Sequence, residues 1–135
     1  MTEATLDKQA PRLRPKYLNV FELGARLPLP GFLSILHRVS GAGLFLLLPF
    51  LLCLLDLSLT SPAAFDDFKD VVANPLCKLL LLGLLWAYLH HFCAGIRFLL
   101  LDVHVGVDLP KARRSTVVVF VVSLALTLII GVKLW

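Results

Sequence analysis

Charge is scarce in this 135-residue chain: Asp, Glu, Lys and Arg together make up 16%, against about a quarter in soluble domains. Cysteine is scarcer still. Cys53, Cys77 and Cys93 form neither a CxxC pair nor a zinc-type spacing, and a disulfide is left open only between Cys53 and Cys77, which fall near the same side of the membrane. All three lie in or beside apolar runs, where a free thiol behaves as a small buried hydrophobe. Residues 1–28 are broken by Pro11, Pro15 and Pro28 and lack the apolar core of a secretory signal, while Glu3 and Asp7 argue against a transit peptide. The first export signal is therefore expected to be the first membrane span itself. Basic residues are not grouped on one face with aromatics between them, so the net charge of +4 does not indicate nucleic acid. What the chain does have is apolar mass: 59% of its residues are hydrophobic and its mean hydropathy is +0.87. That excludes a soluble globular enzyme. At roughly 20 apolar residues per membrane helix, about 60 of the roughly 80 available would build three spans, and a fourth would leave too few for the polar segments.

The pattern predicts an all-α membrane protein with a polar segment at 1–28 and a three-span region at 29–135, its spans near 29–59, 78–102 and 116–134. Pro49 should bend the first span modestly, which membrane helices tolerate. The third is the cleanest, and Lys133 and Trp135 extend it by snorkelling and interfacial anchoring. The loop at 60–75 is acidic, with Asp66, Asp67 and Asp70; the loop at 103–116 is basic, with Lys111, Arg113 and Arg114. Five Lys and Arg precede span one and three lie in the second loop, against two in or beside the first loop and one at the C-terminus. Eight against three assigns the N-terminus and second loop to the cytoplasm and the C-terminus to the periplasm.

Ionisable groups inside a span cost about 2.5 to 3.5 kcal/mol each on insertion scales and usually mark a functional interior. This chain keeps His37, Arg38, His90, His91 and Arg97. Ser34, His37, Arg38 and Gly41 share one helical stripe; His91, Gly95, Phe98 and Asp102 share another, with His90, Ala94 and Arg97 beside it. Ala94 and Gly95 would let something large and flat approach the backbone near His91. Counting about 1.5 Å per residue from Pro30 and Asp102 puts His37 about 10 Å deep, His91 about 16 Å and Arg97 about 8 Å. The polar groups thus gather in the cytoplasmic half.

A neutral imidazole in an apolar bundle is a good axial ligand for haem iron, and arginines above it suit the propionates. The plain alternatives are that Arg38 and Arg97 snorkel as topology anchors and that the histidines are interhelical polar contacts. His90 and His91 point about 100° apart and cannot both face one site. His37 and His91 could in principle supply both ligands of a six-coordinate haem, although their depths differ by about 6 Å on this rise.

The segments SILHRVSG (34–41) and HFCAGIRFLLLD (91–102), with RPKYL (14–18) and a final apolar span ending in Trp, resemble the cytochrome b subunits of succinate dehydrogenase, the first membrane anchor of respiratory complex II. The resemblance implies that His91 is the haem b axial ligand and His90 a structural neighbour. It implies one haem shared with a second small anchor subunit, which supplies the other ligand in a heterodimeric helical bundle. Ser34 and Arg38 match residues lining the ubiquinone pocket, with Asp102 at its cytoplasmic mouth. His37 and Arg38 match propionate neighbours, and Arg97 lies at the same level. Many relatives carry histidine where this chain has Phe98, so one propionate contact is missing or replaced here.

On this resemblance the chain anchors a flavoprotein and an iron-sulfur subunit to the bacterial inner membrane and helps form the ubiquinone-reduction site. Succinate oxidation itself belongs to the other subunits. The direction, succinate oxidation or fumarate reduction, stays open, as does further oligomerisation of the complex. A haem-free structural anchor is the alternative of a different class. A proton or ion channel would need a polar stripe across the whole bilayer, and the outer half of each span is almost entirely apolar.

Overall fold

A computed structural model describes residues 27–134. Most of the expected N-terminal segment, including RPKYL, and the interfacial Trp135 lie outside the described residues. Four helices follow in order: α1 (Leu29–Thr60), α2 (Pro62–Ala73), α3 (Pro75–Asp102) and α4 (Leu109–Leu134). Three of them, α1, α3 and α4, are long and apolar enough to cross a membrane. The 32 residues of α1 would reach about 48 Å at 1.5 Å per residue, more than the roughly 30 Å of hydrocarbon. All four described helices are continuous, and α1 runs through Pro49 without interruption.

Three of the four starts have a local cause. Pro30, Pro62 and Pro75 stand in the first turns of their helices, where a missing N–H costs nothing. Ser61 caps α2 by accepting from the Ala64 N–H at 3.1 Å, and Asn74 caps α3 by accepting from the Leu76 N–H at 2.9 Å. The acidic loop expected at 60–75 is therefore mostly helical. Phe65 and Phe68 stack on α2 with centroids 5.7 Å apart, and Asp66 pairs with Lys69 at 2.7 Å, both side chains being exposed.

The end of α3 is a Schellman motif. His104 stands in the left-handed region at φ 62°; its N–H donates to Leu101 O at 2.9 Å and that of Val105 to Leu100 O at 2.9 Å. The second connection is thereby shortened, and α4 begins at Leu109, seven residues before the apolar pattern suggests. The basic residues Lys111, Arg113 and Arg114 thus ride on helix rather than loop.

Helix α3 is central, packed on α1 along one side and on α4 along another. Where the three meet, Leu33, Ala94 and Val119 form a small buried cluster. Most other large apolar side chains face outward, Phe45 being 75% exposed, as suits a chain whose solvent is hydrocarbon. Helix α4 buries Thr116, Val119, Ser123, Thr127 and Gly131, a stripe of mostly small residues that brings backbones close. Its hydroxyls are satisfied within the helix: Thr116 donates to Ala112 O at 2.8 Å, Ser123 to Phe120 O at 3.2 Å and Thr127 to Ser123 O at 2.7 Å. Cys53, Cys77 and Cys93 are free thiols.

Candidate functional site

The two adjacent histidines of α3 part company as their spacing requires. His90 turns toward α4 and is fully buried, between Trp86 and Phe120 at ring centroids of 5.2 and 5.3 Å. Neither of its nitrogens has a hydrogen-bond partner. His91 turns toward α1, where its imidazole lies face to face on that of His37, with centroids 4.1 Å apart and planes 8° from parallel.

One nitrogen of His91 is committed. Its Nδ1 lies 2.9 Å from the carbonyl oxygen of His37 and 3.4 Å from Ser40 Oγ. A carbonyl only accepts, so Nδ1 carries the proton and Nε2 keeps a bare lone pair. Ser40 Oγ in turn donates to the same carbonyl at 3.0 Å. Such a bond on the far nitrogen is what fixes ring and tautomer in metal-ligating histidines.

Glycine lets the ring lie there. A Cβ on Gly41 would stand 2.7 Å from His91 Cε1 and 3.1 Å from its Nδ1, so the imidazole rests on bare α1 backbone. Across the interface, the Cβ position of Gly95 is 3.7 Å from His37 Nε2. The flat group that approaches Gly95 is thus His37 of the same chain, and Ala94 is sealed against Leu33 and Val119. The two ring centres are 4.1 Å apart, closer than the roughly 6 Å of depth difference that counting along each helix suggests.

Ring nitrogens donate in the ring plane. In the stacked arrangement the lone pairs of His37 and His91 lie in nearly parallel planes and do not converge on one atom, so this pair does not supply both axial ligands of one metal. Among the described residues no group of three His, Cys, Asp or Glu side chains could hold a metal ion. What fits is a cofactor whose remaining ligation comes from its own ring and from elsewhere; the bare Nε2, the glycine seat and the imidazole donor suit haem.

Ser34 is half-buried one turn before His37, and Arg38 is exposed on the same stretch of α1. Asp102 is exposed at the end of α3. Phe98 packs on His37 at 5.1 Å and on the Arg97 guanidinium at 5.3 Å. Arg97 itself belongs to the other side: it is buried against α4, with Nε donating to Ser115 Oγ at 2.9 Å and a terminal nitrogen to Ala112 O at 3.3 Å. Ser40 and the His37 carbonyl were not singled out in the sequence. Ser40 stands in the SILHRVSG segment, but a backbone acceptor leaves no residue-type signal. Beside Ser40 a groove of about 570 Å3 runs between α1 and α3, floored by Gly43 and Gly83 and walled by Leu36, Val39 and Trp86.

Three helices long and apolar enough to cross a membrane, two of which hold an oriented histidine between them, define an integral-membrane subunit with an interhelical imidazole site. The chain belongs to the succinate dehydrogenase/fumarate reductase transmembrane subunit family, which it matches over residues 14–130. It is similar to the succinate dehydrogenase cytochrome b556 subunit of Coxiella burnetii, 37% identical over 109 residues covering 80% of this chain and 87% of that one. The subunit of the same description from Paracoccus denitrificans is 34% identical over 108 residues (78% and 83%), and that from Rickettsia felis 32% over 108 (79% and 83%).

Proposed function

We propose that this chain is the cytochrome b anchor of a bacterial succinate:ubiquinone oxidoreductase, holding one haem b through Nε2 of His91 and forming part of the quinone site. The observation that carries this reading is the His91 Nδ1 bond to His37 O at 2.9 Å, which leaves Nε2 as a donor atom. A further ligand to the haem would come from another small membrane anchor, since His37 is stacked beside His91 rather than opposed to it. Bound haem supplies a one-electron store whose potential answers to its ligands, charges and burial. His37 and Arg38, on the α1 stripe that meets His91, are the propionate neighbours. Arg97, expected in that role, is turned to α4 and would join it only by leaving Ser115.

Reduction of ubiquinone adds two electrons and two protons. Arg38 stabilises negative charge growing on a quinone oxygen, strongly so where water is excluded. Ser34 donates a hydrogen bond that orients the ring, and Asp102 stands at the mouth of the site. The flavoprotein and iron-sulfur subunits dock on the cytoplasmic face of the inner membrane, beside the basic N-terminal segment and the α3–α4 connection. The C-terminus is periplasmic.

A haem-free structural anchor is favoured by one observation: the His91–His37 contact is also a sound interhelical polar contact. The family description spans succinate and fumarate enzymes, so a quinol:fumarate reductase anchor is the other variant. Spectra of the purified complex separate haem-bound from haem-free. The expected outcome is a haem b absorption lost in His91→Ala and kept in His90→Ala; a spectrum unchanged in both would remove His91 from ligation.

A further inference from the structure

The imidazole of His37 sits in a slot built by α3. His91, Gly95 and Phe98 follow one another at i, i+4 and i+7 on that helix, so they line one face in order. His37 enters from α1 between the two rings. His91 lies nearly parallel to it at 4.1 Å, Phe98 stands tilted by 55° at 5.1 Å, and a Cβ on Gly95 would stand 3.7 Å from His37 Nε2. Among the described residues, the hydrogen bonds at His37 from other side chains use its main-chain carbonyl, which accepts from His91 Nδ1 and Ser40 Oγ. Its ring is held by packing.

Two sides of the slot are fixed by other means, His91 through Nδ1 and Gly95 as bare backbone. Phe98 closes the third, and it is braced. Half-buried, it packs against Leu33, Ala94 and Val119, the cluster to which α1, α3 and α4 each give one residue. The Arg97 guanidinium lies over its ring at 5.3 Å, within cation–π range. Arg97 is itself tied to α4 by Ser115 Oγ and Ala112 O, so α4 bears on the imidazole pair through Arg97 and Phe98. A hydrocarbon ring offers a carboxylate no hydrogen bond, and the effect of Phe98 on one passes through His37. A donor held in place before its ligand arrives spares the cost of ordering it on binding.

We infer that Phe98 is a positioning residue: braced by Arg97 and the buried cluster, it wedges the His37 imidazole against His91 and so keeps a ring N–H in place for a carboxylate of the group bound at His91. This rests on the haem reading, with a propionate as that carboxylate. The test is a double-mutant cycle in the purified complex, read by redox titration of the haem b absorption. A hydrogen bond from His37 offsets the negative charge of the carboxylate, and its loss favours oxidised haem. Phe98→Leu keeps apolar bulk against the cluster and loses the flat face; it should lower the ratio of reduced to oxidised haem at a fixed potential about fivefold, the effect of one aromatic pair. Phe98→Met reads the same effect if Phe98→Leu does not assemble. Phe98→Tyr keeps the ring and should leave the ratio unchanged. His37→Ala should lower it at least as far as Phe98→Leu, and combining the two should lower it no further than His37→Ala alone. Additive effects in the double variant would make Phe98 act apart from His37 and overturn the proposal. So would a ratio unmoved in Phe98→Leu or Phe98→Met, or one lowered as far in Phe98→Tyr. Those outcomes leave the haem reading standing, whereas a wild-type complex without haem b absorption would overturn both.

Discussion

The imidazole of His91 rests on the backbone of α1 at Gly41, so close that a methyl group there would stand 2.7 Å from its Cε1. The two helices meet through an aromatic ring on one side and no side chain at all on the other. Ring position and helix spacing are set by this contact, and the tautomer by the bond from Nδ1 to the His37 carbonyl.

Gly41→Ala should push the ring off its seat and away from the His37 carbonyl. Overpacking of this kind costs about 1 to 3 kcal/mol, and haem content per complex, measured by pyridine haemochrome, should fall. Ser40→Ala should act more weakly, in the range of about tenfold in affinity that loss of an outer-shell partner produces. Full haem content in Gly41→Ala would show that the ring has room to relocate.

His90 buries two ring nitrogens without partners, and an unsatisfied buried polar group costs about 1 to 3 kcal/mol. His90→Phe keeps the aromatic packing against Trp86 and Phe120 and removes those nitrogens. It should leave the haem spectrum intact and raise the thermal midpoint of the complex in detergent. A lowered midpoint would mean that the nitrogens of His90 are satisfied in the assembled protein.

On the quinone side, Arg38→Leu should slow ubiquinone reduction about a hundredfold, as removal of a donor to a developing oxyanion does. Ser34→Ala removes one hydrogen bond and should cost about 1 kcal/mol. The haem absorption should largely persist in both. Normal turnover in both variants would take these residues out of the site.

His104 holds a backbone conformation that costs a side chain about 1 to 2 kcal/mol and a glycine almost nothing. His104→Gly should therefore stabilise the α3–α4 connection, seen as slower hydrogen exchange at the Val105 amide. Faster exchange there would indicate that the His104 side chain contributes more than its backbone strain costs.

The spans were legible because a membrane permits so few solutions: a long apolar run must be helix, and polar residues within it must find a face. The stripes of His91 and His90 followed from the 100° step, and the structure sends them to α1 and α4 as that step demands. Helix α2 was missed because its acidic residues read as loop, although Ser61-Pro62 followed by Phe65, Phe68 and Val72 is a capped, one-sided helical pattern. Arg97 was grouped with the other cations by depth; only the position of α4 shows that Ser115 and Ala112 claim it. The relative depth of His37 and His91 depends on how far each helix projects beyond the hydrocarbon, which residue types do not encode.

The bond from His91 to the His37 carbonyl joins two different helices, and this ties the hold on any ligand at Nε2 to the association of α1 with α3. By linkage, whatever binds that nitrogen only when the helices are together must also clamp them together. Assembly and cofactor capture then become one equilibrium seen from two ends, and a substitution far along either helix that loosens their pairing should be felt first as a loss of colour.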